Sequence, residues 1–328
     1  MGINNYQGKY PKGKYNLISD VKGITVGHKG LENYNTGVTI INFDHDIFHH
    51  KYVGASYIVN GFGKSTGLVQ INELGTIESP IALTNTLSVG IVQHAMVKYM
   101  LENNEDIGKT TGTVNVIVGE CNDGHLNDIR GQHITEEDVF DAIKDCKVNF
   151  EEGSVGAGKG MICFGMKGGI GSSSRIISLD HNYTIGTLLL TNFGSMKDFI
   201  DYKVEEREEQ GSCMMIIATD VPLTHRQLER VCRHAVIGLA RRGSYVGNGS
   251  GDIVIGLSTA NLIDHYNQEL IELKCIPESK IDLVNRAMID ALEESILSSL
   301  EHSPTTTGNG NTVYSIHEIR KRVHQNEQ

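Results

Sequence analysis

Ser212 is the first residue that chemistry picks out. It follows Gly211 and opens an apolar run, Cys213 to Ala218, while residues 201–210 (DYKVEEREEQ) are charged and without apolar periodicity. A polar segment feeding a buried strand through Gly-Ser is a place where a chain can be cut without losing its core. It is equally the composition of an ordinary surface loop. A seryl hydroxyl needs a base before it becomes a nucleophile, and no GxSxG elbow is present to provide the usual hydrolase arrangement. A serine at the first position of a new chain has another base at hand. Its own α-amine, with a reference pKa of about 7.7–8.0, can take the hydroxyl proton near neutral pH. That amine exists only after the Gly211–Ser212 bond is broken. Gly at 211 helps, because it tolerates strained geometry and leaves its carbonyl open to attack.

Other chemistry-bearing sets carry less. Asp44-His45-Asp46 followed by His49-His50 has the donors of a metal site but not an ordered spacing such as HExxH. It reads as a polar surface loop, and we expect neither a metal nor a cofactor. The glycines from Gly153 to Gly160 do not make a phosphate loop, because Gly158-Lys159-Gly160 is followed by Met161 rather than Ser or Thr. They read as sites of close backbone packing. Cys213 beside Ser212 would point to the opposite face of a strand, so it reads as a buried thiol.

The elements that must position Ser212 are visible as short β-like runs: Ile24 to Val26, Val38 to Phe43, Val114 to Val118, Met161 to Phe164, Ile185 to Thr191, Cys213 to Thr219 and Ile253 to Ser258. Several are continuously apolar, which implies sheets covered on both faces. Helical periodicity marks 86–102, 225–241 and 281–300, and Thr135-Glu136-Glu137-Asp138 has the form of a capping box. Strands and long helices alternate irregularly, so a layered α/β or α+β domain is expected. At 328 residues, one domain over 1–328 with two sheets, or two closely packed lobes, is the natural reading.

Composition limits the partners. The net charge of −11, with no basic stripe, argues against nucleic acid. No apolar run is long enough to span a membrane. Met1 to Lys14 shows no apolar signal-peptide core, and six scattered cysteines without a CxxC read as thiols of a reducing cytoplasm.

The stretch from Gly211-Ser212-Cys213-Met214-Met215 to Asp220-Val221-Pro222-Leu223, with Gly247-Asn248-Gly249-Ser250-Gly251-Asp252-Ile253 and Ser258-Thr259-Ala260-Asn261 downstream, resembles the DmpA/BapA family of L-aminopeptidase D-amidase/esterases and β-aminopeptidases. Gly153 to Gly158, Lys167 to Ser173, Thr191-Asn192-Phe193-Gly194 and Cys121 to Asp128 are similar to family motifs, so the likeness spans about residues 17–315. It implies a four-layer αββα sandwich like that of the N-terminal-nucleophile hydrolases. It further implies processing into an α-chain, 1–211, and a β-chain, 212–328, and assembly of such units into a homo-oligomer, often a tetramer.

By the same resemblance Ser212 would be the nucleophile and its freed amine the base. Ser250 and Asp252 would bond to that hydroxyl and amine, and Asn192 would donate to the oxyanion. Family members carry a tyrosine in the α-chain that aids the oxyanion. The stretch after Glu120 holds Asn122 and His125 but no tyrosine, which leaves the second oxyanion donor open. An aminopeptidase also needs an acceptor for the substrate ammonium. Glu120 is the first choice and Asp123 the second, though each could be no more than a strand-end turn. The expected substrate is a short peptide, amide or ester. Hydrolysis of linear ω-amino acid oligomers and a non-catalytic binding module are the alternatives.

Overall fold

The computed structural model describes residues 6–199, 210–266 and 269–326. The polar stretch 201–210 therefore lies outside the described residues, except for the backbone of Gln210. The chain begins with β1 (Ile24–Leu31), β2 (Thr36–Phe43), β3 (His50–Gly61), α1 (Leu68–Leu74), β4 (Thr76–Ile77), β5 (Ile81–Asn85) and α2 (Val89–Asn103). There follow β6 (Ile117–Cys121), α3 (Glu136–Lys144), β7 (Ile162–Cys163), β8 (Met166–Lys167), β9 (Ile170–Ser178) and β10 (Asn182–Asn192). The last part holds β11 (Gln210–Thr219), α4 (His225–Arg242), β12 (Gly249–Asp264), α5 (Ile281–Glu301), β13 (Thr306–Gly308), β14 (Asn311–Val313) and α6 (Ile316–Asn326).

Two sheets form the centre. One has the order β1-β2-β5-β6 and the other β4-β3-β12-β11-β10-β9. Helices α2 and α3 pack on the outer face of the first, and α4 and α5 on the outer face of the second. The result is the four-layer αββα sandwich. Side-chain alternation divides the core in two. Leu188, Leu190, Met214, Ile216, Ala218, Ile253, Ile255 and Leu257 join the apolar cluster between the sheets. Leu189, Cys213, Met215, Ile217 and Val254 join the cluster shared with α4 and α5. This two-sided burial is why β11 reads as an unbroken apolar run.

Local signals hold up where caps are strong. Thr135 accepts from the Asp138 N–H and Asp138 returns a bond to the Thr135 N–H, closing the expected capping box. Thr224 and Gln227 do the same at the start of α4. The 86–102 helix is an α-helix only from Val89; Thr86–Ser88 is a 3-10 turn capped by the Asn85 side chain.

The strands run past their sequence-level bounds in most cases, and three differences bear on the site. The run Met161–Phe164 yields only the two-residue strand β7, because Phe164 (φ 50°) and Gly165 (φ 71°) form the turn of a β7–β8 hairpin. The strand expected at 114–118 is β6, three residues further on, where Ile117–Cys121 pair with Ile81–Asn85. The Gly-rich stretch before Ile253 is not a loop from Gly249 on. Gly249–Asp252 already pair with Gln210–Cys213 of β11 as the first residues of β12.

Candidate active site

Three adjacent strands bring the expected residues together. Ser212 on β11 is the direct antiparallel partner of Asn192, the last residue of β10. On its other side β11 runs parallel to β12, with Gly211 beside Ser250, Ser212 beside Gly251 and Cys213 beside Asp252. Alternation along β11 turns Ser212 to the inter-sheet face with Met214 and Ile216, toward β6 of the facing sheet. Cys213 points the other way, as expected, into the cluster beneath α4 and α5. Burial pushes the Cys213 and Cys121 thiols well up from their ordinary range, so neither offers a thiolate as a rival nucleophile.

Gly211 meets a real backbone requirement. Its φ is +131°, and a Cβ built there would lie deep inside van der Waals contact with the Asn192 carbonyl oxygen. The residue before Ser212 can therefore be only glycine without local rearrangement.

Ser212 is buried, and among the described residues its hydroxyl, like that of Ser250, makes no well-formed hydrogen bond, with only the Cys121 thiol near enough to Ser212 to interact. Buried hydroxyls are ordinarily satisfied, and an unsatisfied one costs about 1–3 kcal/mol. Two such groups lie at neighbouring strand ends, on β11 and β12. Asn192 is held on both sides. Its Oδ1 accepts from the Ile162 N–H at 2.9 Å, and its Nδ2 donates to the Asn122 carbonyl at 3.0 Å. This fixes the amide and leaves one further N–H on Nδ2.

Ser250 and Asp252 are placed differently from the simplest expectation. Both are buried, and neither lines the cleft into which Ser212 opens. Their register, beside Gly211 and Cys213, puts them on the helix-side face of the sheet, opposite the Ser212 side chain. They flank the backbone at the Gly211–Ser212 junction rather than the hydroxyl.

The cleft has a volume of ≈ 1060 Å³ and is walled by Phe62, Lys64, Thr86, Glu120, Asn122, His125, Ile162, Asn192, Tyr245 and Tyr314 among others. Glu120 lies inside β6 and is buried with its carboxylate on the cleft. One oxygen accepts from the Lys64 N–H at 2.8 Å and the other from the Thr86 hydroxyl. A buried carboxylate held by two donors and open to a cleft is a site for a cation.

Asp123, the second choice for that role, does not reach the cleft. Its carboxylate accepts from the Thr36 hydroxyl at 2.6 Å and from Asn127 Nδ2 at 2.9 Å, and its carbonyl accepts from the Leu126 and Asn127 N–H groups. Asp123 therefore shapes the turn after β6, and through it the Asn122 carbonyl that holds Asn192. Burial pushes its carboxyl up to about 6, against the pull of those hydrogen bonds. With the folded value above the ordinary 3.8, its contribution to stability is full below that value and is lost as pH rises through about 6. Asp123→Ala removes the acceptor of both the Thr36 hydroxyl and Asn127 Nδ2. It should cost about 1–3 kcal/mol of stability and leave KM unchanged. Thermal melts and steady-state kinetics check this; a raised KM without a lowered Tm would return Asp123 to the substrate.

The remaining sets behave as structure. His49 lies between Asp46 (2.5 Å) and Asp106 (2.8 Å), and His50 pairs with Asp264 at 2.7 Å. Among the described residues no three His, Cys, Asp or Glu are arranged to hold a metal ion. Gly158 approaches the backbone of Gly153 and Gly169 too closely for a Cβ. No tyrosine follows Glu120, but Tyr245 and Tyr314 stand on the cleft wall. Sequence reasoning missed both, together with Lys64 and Thr86. The parallel pairing of Thr84 with Glu120 and Asn85 with Cys121 brings Thr86 to Glu120, a relation that no sequence pattern signals.

No described helix is long and apolar enough to cross a membrane. Comparison with known proteins now adds to this geometry. Residues 16–313 match the model of peptidase family S58. The β-peptidyl aminopeptidases BapA of Sphingosinicella microcystinivorans and Sphingosinicella xenopeptidilytica are 33% and 32% identical to the chain. The alignments cover 92% and 93% of it and 85% of each relative. Among solved structures, the PH0078 protein of Pyrococcus horikoshii OT3 superposes with a TM-score of 0.90 at 44% identity, covering 100% of both chains. A Burkholderia sp. β-aminopeptidase gives 0.90 at 31%, covering 100% of this chain and 99% of its own. The L-aminopeptidase D-Ala-esterase/amidase of Ochrobactrum anthropi, described as a prototype serine aminopeptidase with a variant of the Ntn hydrolase fold, gives 0.87 at 29%, with 98% and 97% covered. The chain belongs to peptidase family S58 and is a hydrolase of peptide and amide bonds.

Proposed function

We propose that this protein is a self-processing serine aminopeptidase that releases N-terminal residues from short peptides, amides or esters. The observation that carries the reading is the pairing of Ser212 with Asn192 on one cleft that Glu120 also lines. Self-cleavage begins with attack of Ser212 Oγ on the Gly211 carbonyl carbon. The C–N bond breaks, the chain shifts to an ester on Oγ, and water hydrolyses that ester to leave a free α-amine on Ser212. In turnover this amine takes the Oγ proton as Oγ attacks the substrate carbonyl. Asn192 Nδ2 donates to the oxyanion. The ammonium then protonates the departing amine, and water releases the acyl group.

Ser250 and Asp252 support the amine rather than the hydroxyl. Their place on β12 beside the 211–213 backbone favours that division, and the Asp252 carboxylate stabilises the ammonium formed in each cycle.

Glu120 anchors the substrate ammonium. Glu120→Gln should raise KM about 10- to 100-fold for substrates with a free amine, the worth of a hydrogen bond between charged groups. Their N-acetylated counterparts should not respond. Equal effects on both series would remove Glu120 from this role. Assays of the processed enzyme with L-alanyl, D-alanyl and β-alanyl p-nitroanilides test the function as a whole. At least one should be hydrolysed, and no hydrolysis by a correctly cut chain would overturn the reading.

We further propose that the αβ units assemble into a homo-oligomer, as the resemblance implies, and that the enzyme works in the cytoplasm. The six cysteines, none in a disulfide, support that compartment. Analytical ultracentrifugation and cell fractionation check the two proposals.

A further inference from the structure

Glu120 is the one carboxylate among the described residues lining the cleft, and Lys64 is the one permanent cation. The two are neighbours, because the Lys64 N–H donates to Glu120 Oε1 at 2.8 Å. The lysine side chain nonetheless does not turn back onto that carboxylate. It is exposed, and its Nζ rests 4.7 Å from the centroid of the Phe62 ring, itself 61% exposed and also lining the cleft. A cation over an exposed ring is weakly held and can swing to a better partner within the reach of its stem. A substrate residue whose ammonium sits on Glu120 therefore lies beside a mobile cation that a neutral side chain leaves unused.

We propose that Lys64 reads a carboxylate on the same substrate residue whose ammonium Glu120 holds. The enzyme then favours N-terminal residues that carry an acidic group close to the amine. Two chemistries meet that description. An α-aspartyl amide carries the carboxylate on its side chain. A β-aspartyl amide carries it on the same carbon as the amine, and is a β-aminoacyl group in its own right. The inference rests on the reading of Glu120 as the ammonium site.

The test compares kcat/KM for four p-nitroanilides, α-aspartyl against L-alanyl and β-aspartyl against β-alanyl. The two members of each pair differ by one carboxylate. In Lys64→Met the acidic-to-neutral ratio should fall about five-fold, the upper range of an exposed ion pair. It should fall further in Lys64→Glu and be kept in Lys64→Arg, and in the wild type it should shrink as salt is raised. A response confined to the β pair places the carboxylate beside the ammonium; one confined to the α pair places it further out. Ratios that are the same in all four active, processed enzymes would overturn the proposal. If Glu120→Gln also leaves every KM unchanged, it is the underlying assignment of Glu120 that fails, not the reading of Lys64 alone.

Discussion

Ser212→Ala should leave a single uncut chain of about 36 kDa with no amidase activity. The expectation follows from one atom serving two steps. Oγ attacks Gly211 to cut the chain and later attacks the substrate, and the base for the second step is created by the first. Alanine removes the nucleophile and also prevents the amine from forming, so no partial activity survives. The fold should tolerate the change, because among the described residues the hydroxyl makes no hydrogen bond beyond a weak contact with the Cys121 thiol. Relief of a buried unsatisfied group can even raise Tm slightly. Two fragments from this variant, seen on a denaturing gel, would refute self-cleavage by Ser212.

Asn192→Ala should lower kcat about 100- to 1000-fold, the usual effect of removing one oxyanion donor, and should slow processing for the same reason. Alanine also strips the acceptor from the Ile162 N–H, so a loss of stability would accompany it and could be mistaken for the cause. Asn192→Asp separates the two effects. It keeps an oxygen for the Ile162 N–H, though its second oxygen now faces the Asn122 carbonyl, and it has no N–H to offer an oxyanion, so it should react no faster than the alanine variant. Recovery of kcat in Asn192→Asp would show that Asn192 acts by holding the β7 hairpin and not by donating to the oxyanion.

Much of the scaffold was legible because its strands are buried on both faces. Cys213 to Thr219 could hardly be anything but a central strand, and it carries Ser212 at its start. The motif resemblance supplied Asn192, Ser250 and Asp252 as a set. What the residues alone could not give was the direction of the Ser250 and Asp252 side chains. Glycine-rich sequence around Ser250 and Asp252 looks like a loop, and only its pairing with β11 shows that both lie on the face away from the Ser212 hydroxyl.

Glu120 and Asp123 were equally plausible by type. They part company because Glu120 lies within β6 and faces the cleft, whereas Asp123 begins the following turn and is consumed by Thr36 and Asn127. The strand itself was misplaced by three residues, because Gly119-Glu120-Cys121 breaks the apolar pattern where the strand gives way to the site. Lys64, Thr86, Tyr245 and Tyr314 come to the cleft from four separate segments. No local pattern marks such residues; only tertiary packing does.

The central claim is that the bond before residue 212 breaks and that the exposed amine becomes the working base. Intact mass spectrometry of the purified, active wild-type enzyme, with N-terminal sequencing of its parts, tests it most directly. Sharing 36.0 kDa over 328 residues, cleavage predicts pieces of about 23 and 13 kDa, the smaller beginning Ser212-Cys213-Met214. A fully active preparation whose mass is that of the unbroken chain would contradict it.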